Sequence, residues 1–216
     1  MRQLLEHIKK YPVFYGLSMG FILIGLFSLL KFAKGDVVLI FNRNQSELFN
    51  LVFLYLTKLG ELMGGALVFL ILIFTSKYKY SVIFLVAVLF SSVASQGLKR
   101  GVFGEEKRPS HMFSQLNPIE DLERHTNFSF PSGHTTAAFT FFSVLSFALV
   151  RKRYQFIAAL AAISVGVSRV YLGQHFVNDV IAGAVLGTLL STVCFILLEK
   201  RLSSIPFLEQ KLINYK

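Results

Sequence analysis

Three short stretches gather side chains suited to work on a phosphate. Lys99 precedes Arg108-Pro109, then comes Pro131-Ser132-Gly133-His134, and last Ser168-Arg169, followed by His175 and Asp179. Phosphoryl transfer asks a protein mainly to position the reactants and to neutralise charge on the equatorial oxygens. Lys99, Arg108 and Arg169 supply three cations, and arginine can grip phosphate with two parallel hydrogen bonds. Ser132 and Gly133 stand where a helix is expected to open, so their backbone N–H groups are expected to be free for an anion. Gly133 also admits close approach of the backbone.

A nucleophile completes the set. Asp179 follows His175 by four residues, a spacing that puts both on one helical face. A carboxylate on one ring nitrogen fixes the tautomer and supports the positive charge that forms on attack. His134 has no such neighbour in sequence. Its expected role is general acid to the leaving oxygen, then general base to the water that resolves the intermediate.

The elements that carry these residues are apolar. Hydrophobic residues make up 54% of the 216-residue chain and mean hydropathy is +0.59. They arrive in blocks of roughly 20 residues, long enough to cross a bilayer as helices. The expected fold is all-α, one polytopic membrane bundle over residues 1–216, with six transmembrane helices near 12–32, 51–75, 80–98, 132–150, 154–172 and 178–198. Lys58 and Glu61 interrupt the second span and are expected at the interface, with Gly64, Gly65 and Ala66 allowing close helix approach below them. The first block is read as a retained membrane helix, being too long for a signal h-region. Gly183 and Gly187 have a spacing that serves helix packing or a homodimer face. Tyr11 and Tyr15 are expected in an interfacial belt, and Tyr171 as an interfacial anchor.

The net charge of +10 is distributed between apolar blocks, without a basic stripe of the kind that nucleic acid requires. The short turn Arg151-Lys152-Arg153 is the strongest topological signal. The positive-inside rule then puts both termini in the cytoplasm and all three phosphate-directed stretches on the extracytoplasmic side of the cell membrane. His111 and His125, with Glu105, Glu106, Glu120, Asp121 and Glu123, show no metal-ligand spacing and read as a solvated loop. Cys194 stands alone and is expected to be a small apolar filler.

The three stretches resemble the type 2 phosphatidic acid phosphatase superfamily, whose pattern is KxxxxxxRP, PSGH and SRxxxxxHxxxD. The second and third parts match in full at Pro131 to His134 and at Ser168 to Asp179. The resemblance implies His175 as nucleophile, Asp179 as its partner, His134 as acid, and Lys99, Arg108 and Arg169 as phosphate ligands. It implies no metal, and no cofactor is expected. One departure stands out: eight residues, not six, separate Lys99 from Arg108. Either Lys99 still reaches the site across a longer loop, or Arg100 replaces it; Lys99 is preferred as a phosphate point charge. The implied activity is metal-independent hydrolysis of a lipid phosphate monoester or pyrophosphate: undecaprenyl pyrophosphate, phosphatidylglycerol phosphate, phosphatidic acid or a lipid A phosphate. The competing readings are a lipid phosphotransferase, in which an alcohol replaces water, and a vanadium-haloperoxidase-like activity in the same anion pocket.

Overall fold

The computed structural model describes residues 2–120, 122–123 and 125–212; Asp121, named above, lies outside the described residues. Ten α-helices follow in order: α1 Arg2–Lys10, α2 Pro12–Lys31, α3 Asp36–Arg43, α4 Glu47–Thr57, α5 Leu62–Thr75, α6 Tyr78–Gly97, α7 Pro109–Met112, α8 Gly133–Leu149, α9 Lys152–Tyr171 and α10 Val177–Leu202. The architecture is an all-α membrane bundle, but six full spans are not there. Among the described residues four helices are long and apolar enough to cross a bilayer: α2, α6 with its continuation to Val102, α9 and α10. A fifth span exists only if α4 and α5, bent by 59° at their junction, count as one.

The helix expected over 132–150 is real but short. At about 1.5 Å per residue, α8 runs roughly 25 Å, less than a hydrocarbon core of roughly 30 Å. The reason is its position. α8 is packed by α10, α9, α6 and α5, and Ala138, Phe139, Val144 and Phe147 have no exposed surface. A helix screened from lipid by its neighbours need not match the bilayer. Being screened, it also carries hydroxyls, and these bond back along the helix: Thr136 to the carbonyl of Ser132, and Thr140 to that of Thr136. α2 is the opposite case, with only Phe14 and Ser18 buried, a few partly buried side chains such as Leu17 and Phe21 packed inward, and much of the rest turned outward.

The second expected span breaks where Glu61 interrupts it. After α4 a single tight turn, Lys58–Gly60, leads into an extended Glu61 before α5 begins. Glycine is what allows this junction to press onto α8: a Cβ on Gly60 would stand 2.6 Å from the carbonyl oxygen of His134. Gly65 meets the ring of Phe141, as close helix approach predicts, whereas Gly64 serves the break itself, lying against the carbonyl of Leu59.

α9 and α10 meet α8 at the same end. α9 closes on Leu172 and Gly173, the latter at φ +64°, and the chain turns back so that the N–H groups of Gln174 and His175 both donate to the Arg169 carbonyl. Gly183 and Gly187 face α8 within the chain; a Cβ on either would collide with the carbonyl of Ser132 or Thr136. The glycine spacing is thus filled by intrachain packing. At the far end, Tyr11 is fully buried and donates to the Phe147 carbonyl at 2.9 Å, and Tyr15 bonds Thr192. Tyr171 is also buried, donating to Asn50. The hydroxyls of these tyrosines are taken up by hydrogen bonds within the packed bundle, because tertiary packing offers each a partner.

Candidate active site

His175 and Asp179 lie at the junction of α9 and α10, each with 1% of its side chain exposed. The Nδ1 of His175 is 3.3 Å from Oδ2 of Asp179. The pair does not ride on one helical face as the spacing suggested. His175 precedes the helix, and Asp179 sits in its first turn, where it also accepts the N–H of Phe176 at 3.0 Å. Ser129 donates its hydroxyl to the same carboxylate oxygen. One acidic side chain therefore caps the start of α10 and orients the imidazole together. With Nδ1 on Asp179, Nε2 is the nitrogen turned away from the carboxylate. Burial, and then the charges of Arg108, Arg169 and Lys99, hold the His175 pKa well below its ordinary value. That environment favours the neutral imidazole.

The three expected cations converge beside it. Arg108 is buried and meets backbone and amide oxygens only: Nε donates to the Asn127 carbonyl at 2.9 Å, and Nη1 to the carbonyl and side chain of Gln174, each at 3.3 Å. Arg169 donates to Thr57 at 2.7 Å and to the Gln174 side chain at 3.4 Å, while its buried Nε has no partner among the described residues. Neither guanidinium is in contact with a carboxylate among the described residues, which leaves each able to take an anion. Lys99 is buried and its Nζ lies 3.9 Å from where a Cβ on Gly133 would stand. The longer spacing to Arg108 is absorbed by a wide i→i+5 turn over Leu98–Val102, closed by the Phe103 N–H on the Leu98 carbonyl. That turn keeps Lys99 inward and leaves Arg100 exposed, lining an outer alcove with Thr126 and Asn127.

The start of α8 departs from expectation in one respect. The Ser132 N–H is not free, because it donates to the Asp179 carbonyl at 3.0 Å. The Ser132 side chain is also used, accepting from the N–H and hydroxyl of Thr135 as the helix cap. Ser132 thus locks α8 to α10, and the N–H groups of Gly133 and His134 remain, with no partner among the described residues. His134, in the same turn, has its Nε2 3.1 Å from Oε1 of Glu61.

These groups line a common cleft of about 410 Å³, with Glu61, Lys99, Arg108, Gly133, His134 and His175 in its wall. A second chamber of about 310 Å³ continues past Arg169, Thr57 and Gln174. Every expected site residue is therefore at one end of the bundle; Ser132 and Asp179 face neighbouring structure rather than the cleft. Among the described residues no three His, Cys, Asp or Glu side chains are grouped so as to hold a metal ion. Sequence reasoning missed Glu61, Ser129, Gln174 and Thr57. Gln174 adjoins His175 and could have been weighed; the other three carry no signal in spacing, since they lie 50 to 112 residues from the groups they touch.

Comparisons with known proteins identify a family. The family description "PAP2 superfamily" matches residues 80–203. Phosphatidylglycerophosphatase B of Bacillus subtilis is 44% identical over 78 residues, 32% of this chain and 38% of that protein. An undecaprenyl-diphosphatase of Sulfolobus acidocaldarius is 31% identical over 153 residues, 69% of this chain and 71% of that protein. The crystal structure of Aquifex aeolicus LpxE superposes with a TM-score of 0.66 at 26% identity, covering 76% of this chain and 96% of that one. The chain spans less than half the length of the first curated relatives it matches.

Proposed function

The chain belongs to the PAP2 superfamily, and from that premise we propose that it is a membrane lipid phosphatase acting through a phosphohistidine on His175. The observation that carries the proposal is the buried His175–Asp179 pair at the base of a cleft walled by Lys99, Arg108 and His134. Nε2 of His175 attacks phosphorus, the bond to the leaving oxygen breaks, and His134 supplies that oxygen with a proton. Water then attacks the phosphohistidine, His134 takes its proton, and the P–N bond breaks to release phosphate and free His175. Lys99, Arg108 and Arg169, with the N–H groups of Gly133 and His134, neutralise the equatorial oxygens in both steps.

The substrate is a lipid carrying a terminal phosphate or pyrophosphate, the class to which the relatives' names point. The site lies at the opposite end of α8 and α9 from Arg151-Lys152-Arg153. With that turn in the cytoplasm by the positive-inside rule, the cleft opens on the outer leaflet and the termini remain inside.

The test is chemical. Wild-type protein quenched in mid-turnover with a terminally labelled lipid phosphate should carry acid-labile, base-stable phosphate, and His175→Ala should carry none and release none. Wild-type turnover in the His175→Ala variant would remove the nucleophile from this scheme.

A further inference from the structure

The first histidine pair explains itself from the sequence; the second does not. Glu61 occupies the cap position of α5 but makes no capping hydrogen bond with its side chain. Its carboxylate instead reaches 3.1 Å to the Nε2 of His134. Glu61 lines both the main cleft and the chamber behind it. The fold is shaped to permit this contact, since only a glycine at position 60 lets the α4–α5 break lie against the His134 backbone.

The electrostatics give the contact a purpose. A general acid must hold a proton, yet His134 is surrounded by groups that oppose one. Burial opposes the proton first; Arg169 then faces the ring from α9, Arg108 and His125 from the long loop, Lys58 from the α4–α5 junction and Lys99 from the end of α6. Of the charged groups lining these two chambers, Glu61 and Glu123 are the acids, and only Glu61 touches the His134 ring. An imidazole has two nitrogens, so a carboxylate at Nε2 leaves Nδ1 for the leaving oxygen.

We infer that Glu61 is a positioning residue for catalysis: it holds His134 as the imidazolium through Nε2 and directs the Nδ1 proton to the leaving oxygen of the lipid phosphate. The inference rests on the phosphohistidine reading. The proton on Nδ1 passes to the alkoxide or phosphate oxygen as the P–O bond breaks, and the water that hydrolyses the phosphohistidine restores it. Glu61 itself is not consumed and does not touch phosphorus.

The experiment compares wild type with Glu61→Gln and Glu61→Asp in detergent, using an alkyl phosphate lipid and an aryl phosphate. A carboxylate within contact distance raises the proton affinity of an imidazole by roughly 1 pH unit or more. Activity that needs a protonated His134 falls as pH rises through its pKa, so loss of the carboxylate should move the alkaline limb of kcat about 1 unit lower. Turnover of the alkyl phosphate at neutral pH should fall up to about 10-fold, that of the aryl phosphate, whose leaving group needs little protonation, much less, and Glu61→Asp should recover part of the limb. In parallel, ¹⁵N-histidine NMR, with the His134 signal assigned from its absence in His134→Asn, should show a lower titration midpoint in Glu61→Gln. An unchanged alkaline limb and an unchanged midpoint would overturn the inference, whatever happened to the absolute rate. Failure of the phosphohistidine reading looks different: His175→Ala would then turn over, while the His134 midpoint would still shift.

Discussion

The site contains two histidine–carboxylate pairs built on opposite terms. His175 and Asp179 are four residues apart and almost wholly buried, and the carboxylate takes two further hydrogen bonds, from Ser129 and the Phe176 backbone. His134 and Glu61 are 73 residues apart, with side chains 32% and 45% exposed. In the buried pair the carboxylate is fixed by capping α10 and by Ser129, so the imidazole meets an acceptor that is itself held in place. The outer pair is held by one contact at a break between helices. The difference suits the two tasks proposed for these histidines. A nucleophile gains from a fixed line of attack, whereas an acid that becomes a base must exchange a proton first with the leaving oxygen and then with water.

The largest expected effect breaks the inner pair. Asp179→Asn should cost about 10⁴-fold in kcat, the order seen when a carboxylate partner no longer fixes a catalytic imidazole. The folded protein should remain, because an amide oxygen can still accept from Phe176. Circular dichroism and size exclusion check the fold, and a loss under 10-fold would show that His175 is oriented without its partner.

Next comes the outer acid. His134→Ala should lower turnover of a lipid phosphate monoester by about 10²–10⁴-fold. Pyrophosphate turnover should suffer less, its leaving phosphate being a better leaving group. Equal losses on both substrates would assign His134 to binding instead of proton transfer.

The pH profile sharpens the contrast without a mutation. The His175 pKa is held below its ordinary value of 6.5 by burial and the neighbouring cations. Protonation of the nucleophile therefore begins only below that pH, and the acid limb of kcat/KM in the free enzyme should lie below 6.5. An acid limb centred at or above 6.5 contradicts a nucleophile in this environment. The alkaline limb belongs to the outer pair, so a change at Glu61 should leave the acid limb where it was.

The smallest effect is expected from Ser129→Ala. It removes one of three hydrogen bonds to the Asp179 carboxylate, a contact worth roughly 1.5–3 kcal/mol to a charged acceptor, of which orientation of His175 bears only a part. Turnover should fall about 3- to 30-fold with the alkaline limb unmoved, measured with the same monoester. A shift of that limb would couple the two pairs that the structure keeps apart.

The sequence alone determined the inner half of the site and the class of the fold. Residue type and local spacing suffice for His175 and Asp179, since the chain between them is too short to separate them widely, and apolar blocks declare a bilayer whatever their packing. Lys99 was legible by type, although only the wide turn at Leu98–Val102 decides that it, and not Arg100, faces the cleft. The tertiary structure decided the rest. Glu61, Thr57 and Ser129 reach the site from distant segments, so no spacing announces them. The count of spans depended on it too: hydropathy cannot tell that α8 is walled off from lipid by α5, α6, α9 and α10, or that the chain breaks at Gly60 and Glu61 to lie against it. Both are consequences of which surfaces meet, and a contact between surfaces is a property of the packed bundle that no single segment carries.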